Sequence, residues 1–177
     1  MSKNPISIAA GILLIVIIAL GIMILFRGNM NMEIKSVFAN MERIPEKYSC
    51  DGENINPRLE ISNIPKNAKS LALIMHDPDA PREGGFTHWV VWNIPVSKKV
   101  IIEEDSFLGV EGKNGANESG YRGPCPPSGV HRYFFTFYAL DRELSLGGDS
   151  TKVVLENAML GHVISKGELV GVYSRGD

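Results

Sequence analysis

Residues 76–95 read HDPDAPREGGFTHWVVWNIP, and this stretch limits the possible folds more than any other. An apolar run, Leu71-Ala72-Leu73-Ile74-Met75, leads through His76 into Asp77-Pro78-Asp79-Ala80-Pro81. Each proline lacks an N–H and confines the residue before it to extended backbone, so a sheet cannot continue through the segment. The chain has to turn there, with carboxylates carried on a stiff loop. Gly84-Gly85 supplies a second turn, and His88 then leads into a new apolar run, 89–94. The pattern predicts an Asp and a His at the ends of two neighbouring strands, on the rim of a polar pocket.

A second stretch has the same construction. Residues 123–133, GPCPPSGVHRY, deliver His131 to the mouth of the aromatic run FFTFYAL. A loop this rich in proline and glycine is stiff in places and bare in others, and its backbone N–H groups are expected to approach a ligand closely.

The rest of the chain is built of short apolar segments between turn residues. Residues 71–75, 89–94 and 133–140 are dense in β-branched, aromatic or aliphatic side chains and read as core strands. Residues 32–38, 57–62 and 168–173 read as further strands, and 100–103 as a shorter one. One helix is expected at 150–160, capped by Asp149 or Ser150, with Val154, Leu155, Ala158 and Met159 as its apolar face and Gly161 as its stop. Residues 111–123, EGKNGANESGYRG, lack periodicity and read as a long surface loop shaping access to the pocket. Many strands, one helix and no βαβ rhythm predict a mainly β fold, an antiparallel β-sandwich.

The N-terminal region is different in kind. Residues 6–26 carry no charge and, as a helix, span about 30 Å, the thickness of a bilayer core. The run is too long for the apolar region of a signal peptide, and no small-x-small cleavage site follows it. The expectation is an uncleaved membrane anchor over residues 1–27, a polar linker at 28–32, and one domain over 33–177. Lys3 and the amino terminus flank one side and Arg27 the other, which leans towards an outward-facing domain. A chain of 177 residues is long enough for one domain with a real core, and a net charge of -2 gives no electrostatic case for nucleic acid. Cys50 and Cys125 have neither zinc spacing nor the density of a disulfide scaffold. They would pair only if the fold brought them together.

DPDAP…HW and GPCPPSGVHRY, with CDGENINP and WVVWNIP, resemble the signature segments of the phosphatidylethanolamine-binding protein family, which includes the Raf-kinase-inhibitor-like proteins. The wording is most similar to the bacterial and archaeal branch, and the resemblance covers roughly residues 34–173. It implies a Greek-key β-sandwich with few peripheral helices and an anion pocket that accepts phosphate-like head groups. Asp77, His88, His131 and Tyr133 fall on the family's pocket positions, and Gly123 and Pro124 on the loop beside them. Arg132 is implied to be structural, pairing with an acid of the first loop. Eukaryotic members gate the pocket with a C-terminal helix; here the last strand is followed almost at once by Asp177, which implies a more open pocket or one covered by a second subunit.

Residue chemistry alone leads in the same direction. A carboxylate beside an imidazole favours the imidazolium, so His88 and His131 near Asp77 would hold an anion, with Tyr133 adding a hydroxyl donor. Each residue also has a plainer role open to it: Asp77 as a turn acid, the histidines as hydrogen-bonded groups inside a sandwich, Tyr133 as core and Cys125 as a small buried hydrophobe. No catalytic residue, cofactor or metal is assigned. A nucleophile elbow of the G-x-S-x-G type and the paired His-x-x-x-His spacing are both missing from the sequence. The expected function is a membrane-anchored binding module for phosphate-bearing ligands or phospholipid head groups. The alternatives are a protein regulator of a kinase or protease and, behind it, a small hydrolase using His and Cys.

Overall fold

The structure, a computed structural model, describes residues 31–176. The anchor expected at 1–27 and residues 28–30 of the linker lie outside them. Among the described residues no helix is long and apolar enough to cross a membrane.

Two antiparallel sheets hold the strands. The smaller has the order β1-β2-β5, from β1 (Glu33–Lys35), β2 (Leu59–Ser62) and β5 (Val100–Ile102). The larger has the order β6-β4-β3-β7-β8, from β3 (Ser70–Asp77), β4 (Phe86–Ile94), β6 (Val110–Glu111), β7 (His131–Leu140) and β8 (Val163–Tyr173). The helix α1 (Lys152–Met159) lies between β7 and β8 in the chain.

Strand alternation explains how the large sheet is covered on both faces. Leu71, Leu73 and Met75 of β3 point one way and join Leu59, Ile61, Val100 and Ile102 of the small sheet in the main core, with Tyr133, Phe135 and Phe137 of β7. Ala72 and Ile74 point the other way and pack with Val90, Trp92, Leu155 and Met159 in a second cluster under the helix. Leu71, Leu73, Met75, Phe135 and Phe137 are fully buried, which stabilises the fold by about 1.5–3 kcal/mol for each such side chain.

Three local expectations need correction. The helix begins later than the capping residues suggest. Its N-cap is Thr151, which makes no side-chain capping hydrogen bond. The Lys113 N–H donates to the Ser150 carbonyl, and Lys113 and Thr151 form a parallel bridge, so the would-be cap is held in extended pairing. Val154 does not belong to the buried face: it is 43% exposed, and Leu155 and Met159, one turn apart, do the packing. Finally β8 starts at Val163, because it pairs with β7 along its whole length while its first residues stay exposed and carry no apolar alternation.

Candidate functional site

The site lies where three strand ends meet. Asp77 is the last residue of β3, opposite Phe86 at the start of β4, while β7 begins at His131 on the other side of β3. The prolines that stop β3 therefore place its terminal carboxylate between the entries of two neighbours. Gly85 completes the turn: its φ is +71°, and a Cβ there would lie 2.3 Å from the Asp77 carbonyl oxygen.

Asp77 is 3% exposed and fully engaged. Its Oδ1 accepts from the Asp79 backbone N–H at 2.8 Å, and its Oδ2 from His131 Nδ1 at 2.8 Å. His131 is 7% exposed, and the carboxylate holds its Nδ1 as a donor, leaving Nε2 as the ring's free nitrogen. Arg132 grips Asp79 with two nitrogens at 2.8 and 2.7 Å and also donates its backbone N–H at 3.0 Å. That pairing, expected between Arg132 and the first loop, holds the Asp79 carboxyl down at about 2.

His88 departs from the expectation of a second imidazolium. Its Nδ1 lies 2.7 Å from the Arg122 carbonyl oxygen, and since a carbonyl only accepts, that nitrogen carries the hydrogen. Burial pushes its pKa down to about 4, outweighing the Arg122 hydrogen bond and the Asp77 charge. The ring is neutral at ordinary pH and presents an acceptor at Nε2. Phe86 stands 4.7 Å away edge-on and Tyr133 5.1 Å away edge-on, and the two clamp it.

Tyr133 is fully buried. Its hydroxyl lies beside the Asp77 carboxylate and the Cys125 backbone N–H without a well-formed hydrogen bond to either; with Trp92 Nε1 it makes up the unsatisfied buried side-chain polar atoms among the described residues. Burial and then the Asp77 charge raise its pKa.

These groups surround a cavity of about 280 Å³ lined by Asp77, Ala80, Pro81, Arg82, Phe86, His88, Arg122, Gly123, Cys125, Pro126, Pro127 and His131. Of the residues singled out from the sequence, Asp77, His88, Gly123 and His131 line it. Pro124 and Tyr133 do not: both are buried behind the wall. The expected free backbone donor at Gly123 is already committed, because its N–H donates to Asn54 Oδ1 at 2.8 Å. A Cβ at Gly123 would lie 2.3 Å from the Tyr48 carbonyl oxygen, so its lack of a side chain serves loop packing. The lining residues not anticipated include Arg82, which stacks over Phe86 at 5.4 Å, and Arg122, which pairs with Glu118 at 2.7 Å. Arg82 and Phe86 sit inside the first motif and Arg122 immediately precedes the second, but their direction into a common cavity is set by the turns and not by spacing.

Cys50 and Cys125 form a disulfide across a sequence separation of 75, and both residues are exposed. Cys125 is thus neither a buried hydrophobe nor a free thiol, and in this state it offers no thiolate nucleophile. The bridge ties the pocket loop to residues 46–54, together with the Cys50 N–H to Pro124 carbonyl bond at 3.0 Å and the Tyr121 hydroxyl to Tyr48 carbonyl bond at 2.7 Å. No group of His, Cys, Asp and Glu among the described residues is arranged to hold a metal ion.

The paired sheets and the histidine–aspartate cavity at the strand ends define a recognisable class of protein. Residues 34–174 match the family described as phosphatidylethanolamine-binding protein, and the chain belongs to that family. A UPF0098 protein of Pyrococcus abyssi is 46% identical over 173 residues, covering 92% of this chain and 96% of that one. Another from Methanothermobacter thermautotrophicus is 49% identical over 145 residues, covering 78% of this chain and 95% of the relative. Among solved structures, a putative phosphatidylethanolamine-binding protein homolog of Chlamydia trachomatis aligns with a TM-score of 0.78 at 44% identity, covering 83% of this chain and 99% of that one. The E. coli protein YbcL, described as a new member of the mammalian family, aligns with a TM-score of 0.76 at 27% identity, covering 82% and 99%.

Proposed function

We propose that the protein is a binding module for small phosphate-bearing ligands, held in the cavity at the ends of β3, β4 and β7. The observation that carries this reading is the buried Asp77–His131 pair opening on a cavity whose rim carries Arg82 and Arg122. His131 Nδ1 is turned to Asp77, so Nε2 is the ring atom left for a ligand. Arg82, stacked on Phe86, adds positive charge at the entrance, and Arg122 stands beside it with its guanidinium paired to Glu118. The volume lies at the lower end for small-molecule sites, enough for a phosphate group and a short organic substituent. Membership of a family named for binding a phospholipid supports the same class of ligand. Residues 6–26, acting as an anchor, would keep the cavity near lipid head groups.

Titrating the full-length protein with inorganic phosphate, with NMR observation of the histidine rings, tests the reading. Saturable shifts at His131 and His88, and affinity reduced at least about tenfold in His131→Ala, are expected. Absence of saturable binding would remove the phosphate pocket.

A further inference from the structure

We infer that Asn117, in the surface loop over residues 111–123, is an acceptor for an N-linked glycan delivered on a polyprenyl phosphate. The inference goes beyond the reading of the cavity and does not depend on it.

Asn117-Glu118-Ser119 is the sole Asn-x-Ser/Thr tripeptide in the 177 residues, and glutamate, not proline, stands in its middle. A three-residue pattern carries little by itself, and its placement decides whether it is an acceptor. The loop folds around Asn114, which is buried. Asn114 Oδ1 accepts from the Ala116 and Glu118 N–H groups at 2.9 and 3.2 Å, and its Nδ2 donates to the Gly120 carbonyl at 3.3 Å. Its own N–H donates to the Glu118 carbonyl at 2.8 Å. One asparagine thus holds the turn from inside and the other is left outside it. Asn117 donates its backbone N–H to the Asn114 carbonyl at 2.9 Å, and its side-chain amide takes no part in the bonds that hold the turn. Its φ of +63° lies in the left-handed region that asparagine tolerates. Residues 116–119 are all exposed, so the amide and the Ser119 hydroxyl two residues on are open to a transferase.

Two features outside the loop point to the compartment in which such transfer takes place. The Cys50–Cys125 disulfide is of the kind that persists in an oxidising environment. The uncharged run over residues 6–26 is long enough to deliver the following chain across a bilayer. In the transfer, Asn117 Nδ2 bonds to the anomeric carbon of the sugar and loses one hydrogen as a proton. The bond from that carbon to the phosphate oxygen breaks, and the polyprenyl phosphate leaves with the electron pair, so nothing is oxidised or reduced. The position has a bearing on the cavity. The Gly115 carbonyl accepts from the Arg82 guanidinium at 3.3 Å, and Glu118 pairs with Arg122 at 2.7 Å. The acceptor therefore lies between the two points at which the loop holds the arginines of the cavity wall. A glycan there would stand beside the wall and leave the lining residues themselves unmodified.

Mass spectrometry of the full-length protein, purified from the cells that make it, tests the assignment. Cleavage after Lys113 and Arg122 releases residues 114–122 as one peptide, NGANESGYR. The wild-type peptide is expected to carry the mass of a glycan, and its fragments to place that mass on Asn117 and not on Asn114. Two variants made in the same cells, Ser119→Ala and Asn117→Asp, are expected to lose the added mass completely, while Ser119→Thr keeps it. Aspartate enters the left-handed region as asparagine does, so Asn117→Asp preserves the turn. Recovery of the wild-type peptide without sugar, a sugar on Asn114, or a glycan that survives in Ser119→Ala would each overturn the assignment.

Discussion

Asp77 gathers the site because every lone pair it uses is answered by a neighbour it also positions. The Asp79 N–H and His131 Nδ1 hold its two oxygens, and Arg132 holds Asp79 in turn. The exception is Tyr133, whose hydroxyl is buried without a partner. An orphaned buried hydroxyl costs free energy. Tyr133→Phe is therefore expected to leave the ligand-free protein as stable as the wild type or up to about 1 kcal/mol more stable and, because Tyr133 does not line the cavity, to leave phosphate affinity within about twofold. Denaturant titration paired with calorimetry reads both effects. A loss of more than about 1 kcal/mol in the free protein would show that the hydroxyl already has a partner.

At the scale of elements, the pocket is a β-sheet rim closed by a loop, and the loop is fastened from outside the sheet. The Cys50–Cys125 bridge, the Cys50–Pro124 backbone bond and the Gly123–Asn54 bond all tie the second motif to residues 46–54. The bridge closes a long stretch of chain, with a separation of 75, so it constrains the unfolded state strongly. Replacing both cysteines by serine is expected to lower the unfolding free energy by about 2–4 kcal/mol. Phosphate affinity should also fall, since Cys125 lines the cavity. Unchanged affinity in the double variant would mean that the backbone bonds alone hold the wall.

At the scale of the molecule, the buried neutral His88 ties stability to pH. Its pKa is about 4 in the folded protein and about 6.5 unfolded, so protonation favours the unfolded chain. The stabilisation is present above pH 6.5 and is lost as pH falls towards 4, amounting to about 3 kcal/mol. That is a large share of the roughly 5–15 kcal/mol that holds a domain together. The Asp79 carboxyl, held at about 2 by Arg132, adds a smaller loss only at lower pH, between about 4 and about 2. Unfolding free energies measured from pH 7.5 to 4 should fall in the wild type and fall less in His88→Gln. Parallel curves for the two proteins would place the titrating group elsewhere.

Much of this protein is legible in local chemistry. Prolines that cannot donate end β3 at Asp77, alternating side chains mark the core strands, and the two proline-rich motifs carry Asp77, His88 and His131 to one rim. Backbone rules act within a few residues, so those features follow from the order of the amino acids alone. Other features depend on groups far apart in the chain. Burial keeps His88 neutral where a neighbouring carboxylate alone would charge it. Asn54 takes the Gly123 N–H, Lys113 draws the chain away from the expected helix cap, and Cys50 meets Cys125. Each of these depends on desolvation or on a contact between distant segments, so only the tertiary structure could decide it.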